Sequence, residues 1–385
     1  MSLLIRNSLL KWDIFCRVID NFGDVGVCWR LARVLASRYS AHVRLWVDDW
    51  ATLARLCPEA DCDGRQVSGV EFRHWVSPFP AVEPAEVVVE SFACELPALY
   101  VQAMAARPVP PVWINLDYLS AENWVREAHG LPSPHPRLPL VKYFFFPGFW
   151  EETGGLVRED ALFERRERFL ETHGQGWRKF GIDPPHGNVL AISLFSYAQQ
   201  ALPELLHCWQ GSERPVLLLV PEGRALEEAG AALGIRLEPG MQARRGVLCV
   251  KALPFMSQDG YDELLWSCHL NFVRGEDSFV RAQWAAKPFI WHIYPQKQDA
   301  HLAKLEAFLA LYCAGLGEEA ALALTAFWRA WNRGENLSSS WRRFAEALPE
   351  LKQHAKKWCS TLASRPCLAT KLWQFCQHVA KNISC

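Results

Sequence analysis

Two aspartates four residues apart, Asp20 and Asp24, sit in the glycine-containing segment Asp20–Gly26 (DNFGDVG). A carboxylate pair at the edge of a cleft can hold a cation, or take a proton from a nucleophile as a new bond forms. Aspartate is also a favoured helix cap and turn residue, so capping competes with chemistry at both positions. Asn21, Phe22 and Gly23 complete the loop. A second charged loop, Arg274–Ser278 (RGEDS), carries groups of the opposite use. Arg274 offers a fixed cation with a bidentate fork. A helix opening at Asp277 or Ser278 would present free N–H groups and a partial positive charge, which suit a diphosphate. Glu276 and Asp277 would accept hydrogen bonds from sugar or ribose hydroxyls. A solvated loop before a capped helix has the same composition.

Several further residues fit a nucleotide-type ligand. Phe195, Ser196 and Tyr197 supply two rings for stacking on a base and a hydroxyl for a phosphate. Phe255 could stack in the same way and Gln258 could read a base edge. Asp117 and Tyr118, within Asn115–Ser120 (NLDYLS), and the TGGL segment Thr153–Leu156 are candidate acceptor contacts. Each is equally explained by packing or by loop structure. No G-x-G-x-x-G is present, only Gly23-x-x-Gly26, so a dinucleotide fingerprint is not supported. The 12 histidines show no metal spacing, and the 13 cysteines are scattered with no C-x-x-C pair, so neither a zinc site nor a disulfide framework is expected. His292 and His301 read as core or surface histidines, and the aromatic run Tyr143–Trp150 as core or domain interface.

These loops need strands and helices to hold them, and the pattern supplies both. Trp12–Ile19 reads as a strand, followed by the Asp20–Gly26 turn and a helix over Val25–Tyr39 with Val27, Leu31, Val34 and Leu35 at helical spacing. Strands are predicted at Val43–Val47, Val70–Trp75, Val87–Val89 and Val112–Leu116, with helices at Ala51–Leu56 and Pro97–Ala106. After the charged helix Phe163–Thr172, the stretch 174–187 holds four glycines and two prolines and reads as a linker. The pattern then restarts. Strands fall at Val189–Phe195, Pro215–Val220, Val247–Val250, Leu270–Val273 and Phe289–His292. Helices fall at Gln200–Trp209, Arg224–Leu233, Tyr261–Trp266 and Phe279–Ala286, and everything from Ala300 on is helical. Strand–helix alternation implies parallel α/β sheets, and ligands of such sheets bind outside the carboxyl ends of the strands. The expected architecture is therefore α/β, with two Rossmann-like domains facing a central cleft.

Composition agrees. At roughly 100–200 residues per domain, 385 residues make two domains. A net charge of −1 argues against a nucleic-acid binder, and 50% hydrophobic residues with 18 tryptophans argue against disorder. No apolar run approaches the ~20 residues of a membrane span, and Met1–Leu10 is too short in apolar residues for a signal peptide, reading instead as an extension. Scattered reduced thiols fit a cytoplasmic protein. The charge is uneven, however. Leu351–Cys385 carries six Lys or Arg and no acid, so it reads either as a helix pair with a solvated basic face or as a contact for an acidic partner.

The segments Trp12–Arg33, Ile114–Trp124 (INLDYLSAENW), Phe145–Phe149 (FFPGF), TGGL, LFSY and RGEDSFVRAQWAAKPFIWHIYPQ together resemble the EarP family. Its members are bacterial protein-arginine rhamnosyltransferases that modify elongation factor P. The run from Lys287-Pro288 through a strand to Tyr294-Pro295-Gln296 is similar to the donor half of GT-B glycosyltransferases. The resemblance spans nearly the whole chain from Trp12. It implies a GT-B fold, with an N-terminal acceptor domain over 11–173, the linker, a C-terminal donor domain over 188–350, and terminal helices over 351–385 that pack back on the first domain. It implies dTDP-β-L-rhamnose as donor substrate, one arginine of elongation factor P as acceptor, inversion at the anomeric carbon, no metal or cofactor, and a monomer. By motif, Asp20, Asp24 and Glu276 match catalytic positions. Phe195, Tyr197, Phe255, Gln258, Arg274, Asp277, Ser278 and Tyr294 match the donor pocket, to which Ser196 and Gln296 are added as neighbours. Asn21, Phe22, Gly23, Asp117 and Tyr118 are placed on the acceptor side. The alternatives are a GT-B enzyme with a small-molecule or glycan acceptor, and a non-catalytic module that binds a nucleotide or a translation factor.

Overall fold

The computed structural model of the chain describes residues 11–20, 22–172 and 174–383. The extension 1–10 and the candidate Asn21 lie outside the described residues. Contacts divide the chain into two compact units. One comprises Met1–Asp160 with Arg365–Cys385, the other Ala161–Ser364.

The first unit is built on β1 (Lys11–Cys16), β2 (His42–Val47), β3 (Gln66–Val67), β4 (Val70–His74), β5 (Val87–Ser91), β6 (Val112–Leu116), β7 (Pro132–Pro134) and β8 (Val141–Phe145). The sheet runs β3-β4-β2-β1-β5-β6-β8-β7. All pairs are parallel except the antiparallel β3 and β7 at the two edges. Strands buried on both faces read as continuous apolar runs, as β5 (VVVES) and β6 (VWINL) do. One charge is buried among them. Asp13 in β1 is fully enclosed, and its carboxylate accepts two bonds from Arg44 at 2.6 Å, one from Trp46 Nε1 at 3.1 Å, one from Ala85 N–H at 3.1 Å and one from the Tyr100 hydroxyl. A buried carboxylate with every lone pair used is tolerated where an unpaired one is not. Helices α1 (Phe22–Tyr39), α2 (Trp50–Leu56), α3 (Ala98–Ala105) and α4 (Trp124–Ala128) accompany the strands.

The second unit opens with α5 (Leu162–Glu171) and α6 (Gln175–Arg178). It continues through β9 (Leu190–Leu194), α7 (Leu202–Gln210), β10 (Val216–Pro221), α8 (Arg224–Ala232), β11 (Gln242–Arg245), β12 (Leu248–Leu253), α9 (Gln258–Ser267), β13 (Leu270–Arg274), α10 (Asp277–Ala285) and β14 (Phe289–His292). It closes with α11 (Ala300–Tyr312), α12 (Glu318–Arg333) and α13 (Leu337–Ala363). Its sheet runs β11-β12-β10-β9-β13-β14, with only the edge strand β11 antiparallel.

The domain boundary differs from the sequence expectation, because aromatic anchors override the glycine and proline signal. On α5, Phe163 packs edge-on against Trp284 at 5.9 Å and Phe169 against Trp266 at 5.6 Å, tying that helix to the second unit. The stretch 174–187 is no free linker. Trp177 and Phe180 enter the second unit's core beside Ala191, Leu219 and Leu264. Its Gly176 lies against the Phe169 ring, where an added Cβ would come within 2.2 Å.

The terminal helices divide as well. Residues up to Ser364 belong to the second unit, whereas α14 (Leu368–Ile383) returns to the first. Trp373 of α14 stacks on Tyr39 at 4.4 Å and on Trp12 at 5.7 Å. Phe375 meets the rings of Tyr143 and Phe145. TGGL serves this docking rather than an open acceptor surface. Thr153 is fully buried, and a Cβ on Gly155 (φ +74°) would reach 2.9 Å from the Pro366 carbonyl. The six basic residues of 351–385 therefore do not form one face. Lys371 donates to the carbonyls of Glu151 and Thr153 and Arg365 to that of Phe149, so both are spent on joining α14 to its unit.

Candidate active site

In each sheet the strand order reverses direction at one point, between β1 and β5 in the first unit and between β9 and β13 in the second. In doubly wound sheets the crevice outside the carboxyl ends at that point is where ligands bind. Both charged loops lie there. The segment after β1 carries Asp20, and the segments after β9 and β13 carry Phe195–Tyr197 and Arg274–Ser278.

In the first unit the expected strand stops at Cys16, three residues short of Ile19, because the next amides leave the ladder for carboxylates. Val18 N–H donates to Asp48 Oδ1 at 2.9 Å, and the N–H groups of Ile19 and Asp20 both donate to Asp24 Oδ2 at 2.8 Å. Asp24, in the first turn of α1, is 2% exposed and folds the loop back over the helix N-terminus. Its other oxygen accepts from the Tyr118 hydroxyl at 3.4 Å. Burial pushes the Asp24 carboxyl up from its ordinary value against these stabilising hydrogen bonds. Asp20 lies beside it, its carbonyl accepting from Gly23 N–H at 2.7 Å. A Cβ on Gly23 would reach 2.8 Å from Asp20 Oδ2, so only glycine leaves that carboxylate its place. Phe22 is half-buried under the Arg55 guanidinium at 5.5 Å. Asp117 turns onto its own loop, accepting from Tyr118 N–H at 2.7 Å and from the Asn115 amide at 3.4 Å.

Two residues of this site carry no signal in their types. Phe92, just after β5, stacks on Tyr118 at 4.4 Å and holds a left-handed backbone (φ +56°). Non-glycine residues adopt that conformation at a cost, and such strain clusters at functional sites. Asp48, just after β2, shapes the β1 loop through Val18. Its position past a strand end was the one available hint.

In the second unit Arg274 ends β13 with its guanidinium over the rings of Phe195 at 4.5 Å and Tyr197 at 4.7 Å. Tyr197 in turn meets Tyr294 at 5.5 Å and His292 at 5.4 Å, and Phe195 meets Tyr261 at 5.6 Å. The Arg274–Gly275 turn needs glycine at φ +58°. It is pinned from β14, where Trp291 Nε1 donates to the Gly275 carbonyl at 2.7 Å. Ser278 matches the donor pocket by motif, where its hydroxyl would face the ligand. Its hydroxyl instead accepts from Arg274 N–H at 2.9 Å and donates to the Arg274 carbonyl, closing the loop on itself. Ser196, read from the sequence as a phosphate contact, keeps a buried Oγ with no hydrogen-bond partner among the described residues. Buried hydroxyls are rarely left so, and this one has its bonding capacity open to a ligand.

Glu276 stands at the N-cap position of α10 without a side-chain cap bond, half-buried. Asp277 follows in the first turn and accepts from the Gln258 amide at 3.5 Å, joining the starts of α9 and α10. The same helices are tied deeper by a buried pair, Arg281 donating to both oxygens of Asp262 at 2.8 and 2.6 Å. Phe255 follows β12, half-buried, its N–H donating to Glu222 at 3.4 Å. Gln296 is exposed beyond β14. His292 is buried, and burial together with the Arg274 charge pushes its pKa down to about 3, so it stays neutral beside that cation. Among the described residues no group of three or more His, Cys, Asp or Glu could hold a metal ion, and no helix is long and apolar enough to cross a membrane.

The family model of elongation-factor P (EF-P) rhamnosyltransferase EarP matches residues 12–377. The chain belongs to the EarP family. A protein-arginine rhamnosyltransferase of Pseudomonas putida is 50% identical over 371 residues, covering 94% of this chain and 98% of that protein. A solved structure described as the basis for EarP-mediated arginine glycosylation of translation elongation factor EF-P is 38% identical. It superposes with a TM-score of 0.69 over 96% of this chain and 99% of that one. The spinosyn rhamnosyltransferase SpnG complexed with thymidine diphosphate matches at 11% identity and a TM-score of 0.53, covering 94% of this chain and 99% of that one. That likeness concerns fold alone. This member of the EarP family is a glycosyltransferase of the GT-B fold.

Proposed function

We propose that this EarP-family chain moves L-rhamnose from dTDP-β-L-rhamnose to one arginine side chain of elongation factor P, inverting the anomeric centre without a metal. The observation that carries the reading is the family match over residues 12–377, which includes both loops at the sheet switch points. In this reading the first unit serves the acceptor and the second the donor.

A guanidinium is a poor nucleophile, because its lone pairs are delocalised and its pKa exceeds about 12. Asp20 pairs with it, aligns one nitrogen behind the anomeric carbon and accepts the proton as the C–N bond forms. Asp24 holds the Asp20 loop through the Ile19 and Asp20 amides. Tyr118 and Phe92 line the acceptor side. On the donor side, Phe195 and Tyr197 offer ring faces, with Phe255 and Gln258 near the base and Tyr294 at the rim. Charge developing on the departing diphosphate is met by Arg274, the Ser196 hydroxyl and the positive end of the α10 dipole. Glu276 orients the sugar or stabilises positive charge on its ring. Inversion needs a single displacement, so no covalent nucleophile is required.

Intact-mass analysis of elongation factor P after incubation with the enzyme and dTDP-rhamnose tests this. A gain of one deoxyhexose on arginine, undiminished by EDTA, is expected. No gain, with transfer to a glycan or small molecule, refutes the acceptor. Asp20→Asn is expected to lower kcat by about 10²–10⁴-fold while donor binding persists. Near-normal turnover in that variant removes Asp20 from the mechanism.

A further inference from the structure

We propose that the second unit holds an additional anion site, for a phosphate-class ligand, at the edge of its sheet opposite the donor loops. A cavity of about 320 Å³ opens there, at the starts of the strands. Arg214 precedes β10, His269 precedes β13, Lys287 precedes β14, and Pro349 and Lys352 of α13 form the far wall. The one acidic residue on the lining, Glu346, is turned to Arg342 at 3.3 Å within α13. Among the described residues, none of Arg214, His269, Lys287 and Lys352 is paired with a carboxylate. Cations gathered round one hollow repel each other unless an anion joins them.

The local hydrogen bonds prepare these groups for a ligand. Arg214 is fixed by donating Nε to the Asn188 carbonyl at 2.9 Å and Nη2 to that of Val189 at 3.2 Å, which leaves Nη1 for another acceptor. His269 Nδ1 accepts the Ala191 N–H at 2.9 Å, so its proton sits on Nε2, a donor. Lys287 is half-buried, and burial and then the Lys352 charge hold its ammonium below the usual lysine value. Neighbouring positive charges likewise add to burial at His269, pushed down to about 4. A bound dianion would relieve the three cations at once and accept from the His269 Nε2–H. The five-residue strands β9 and β13 separate this cavity from Phe195 and Arg274 by about 16 Å at roughly 3.3 Å per residue, so the site is distinct from the donor loops.

Calorimetric titration of the full-length protein in phosphate-free buffer of constant ionic strength tests the assignment. The probes are inorganic phosphate and glucose 1-phosphate, a phosphomonoester. Saturable binding is expected in the parent chain and in Arg274→Ala, with affinity at least about tenfold weaker in Lys352→Ala and in Lys287→Met. Preference for the ester identifies a phosphorylated small molecule as the ligand, and equal binding identifies free phosphate. Lys352 is exposed, so its substitution leaves folding and sugar transfer intact even where Lys287→Met fails to fold. No binding, binding abolished by Arg274→Ala, or equal affinity in Lys352→Ala overturns the proposal.

Discussion

Replacing Gly23 by alanine separates the position of Asp20 from its chemistry. Gly23 is the second residue of α1 and its backbone is not in the left-handed region, so alanine fits the main chain there. Alanine is the better helix former by up to about 1 kcal/mol, and stability should hold or rise slightly. The added methyl, however, would stand 2.8 Å from Asp20 Oδ2, where ordinary contact begins at 3.4 Å. The obstructing atom is the end of a side chain, so the carboxylate yields and the fold does not. The required shift is about 0.6 Å. Misplacement by about 1 Å costs roughly 10²-fold in well-oriented reactions, so about fifteenfold is expected here, or about 1.6 kcal/mol in the barrier. Initial rates of rhamnosylation at saturating donor, beside a thermal melt, give both quantities. A Gly23→Ala enzyme with unchanged kcat, alongside an inactive Asp20→Asn, would show that turnover does not depend on where that carboxylate sits. A loss of several degrees in Tm would show that the strain falls on the backbone instead.

Arg274→Lys keeps the charge but loses the flat group over Phe195 and Tyr197, so KM for the donor should rise about tenfold at similar Tm; an unchanged KM removes the stacked guanidinium from donor binding. Asp24→Ala leaves the Ile19 and Asp20 amides without their acceptor and should cost about 2–4 kcal/mol in urea unfolding, with Asp24→Asn retaining most of it. Because the folded-state pKa of Asp24 is raised, its contribution to stability is full below the unfolded value near 3.8 and is lost as pH rises through the folded value. Asp24→Asn should therefore gain on the parent chain in Tm as pH climbs through that window, and parallel Tm–pH curves would contradict this. Arg281→Met strands Asp262 in the core and should cost about 3–5 kcal/mol, whereas the double change with Asp262→Leu should recover most of it in the same unfolding assay.

Strand and helix alternation, the apolar runs of β5, β10 and β12, and the two charged loops were all legible in the residue order, because period and turn chemistry are local. So was the place of Phe195, Phe255, Arg274 and Tyr294 at or just past strand ends. Boundaries set by distant partners were not. Phe163, Phe169, Trp177 and Phe180 claim 161–187 for the second unit only because Trp284, Trp266 and Leu219 lie where their rings can bury. Trp373 takes the last helix to the first unit for the same reason. Side-chain duties also waited for the fold. Ser278 is consumed by its own loop while Ser196 is left free, and Asp24 spends one oxygen on two amides that its sequence position alone could not assign to it. The sequence by itself determined which residue types stand at the ends of which strands. Only the tertiary structure decided which of those ends meet at the switch points of the sheets, because strand order depends on pairings between residues far apart in the chain.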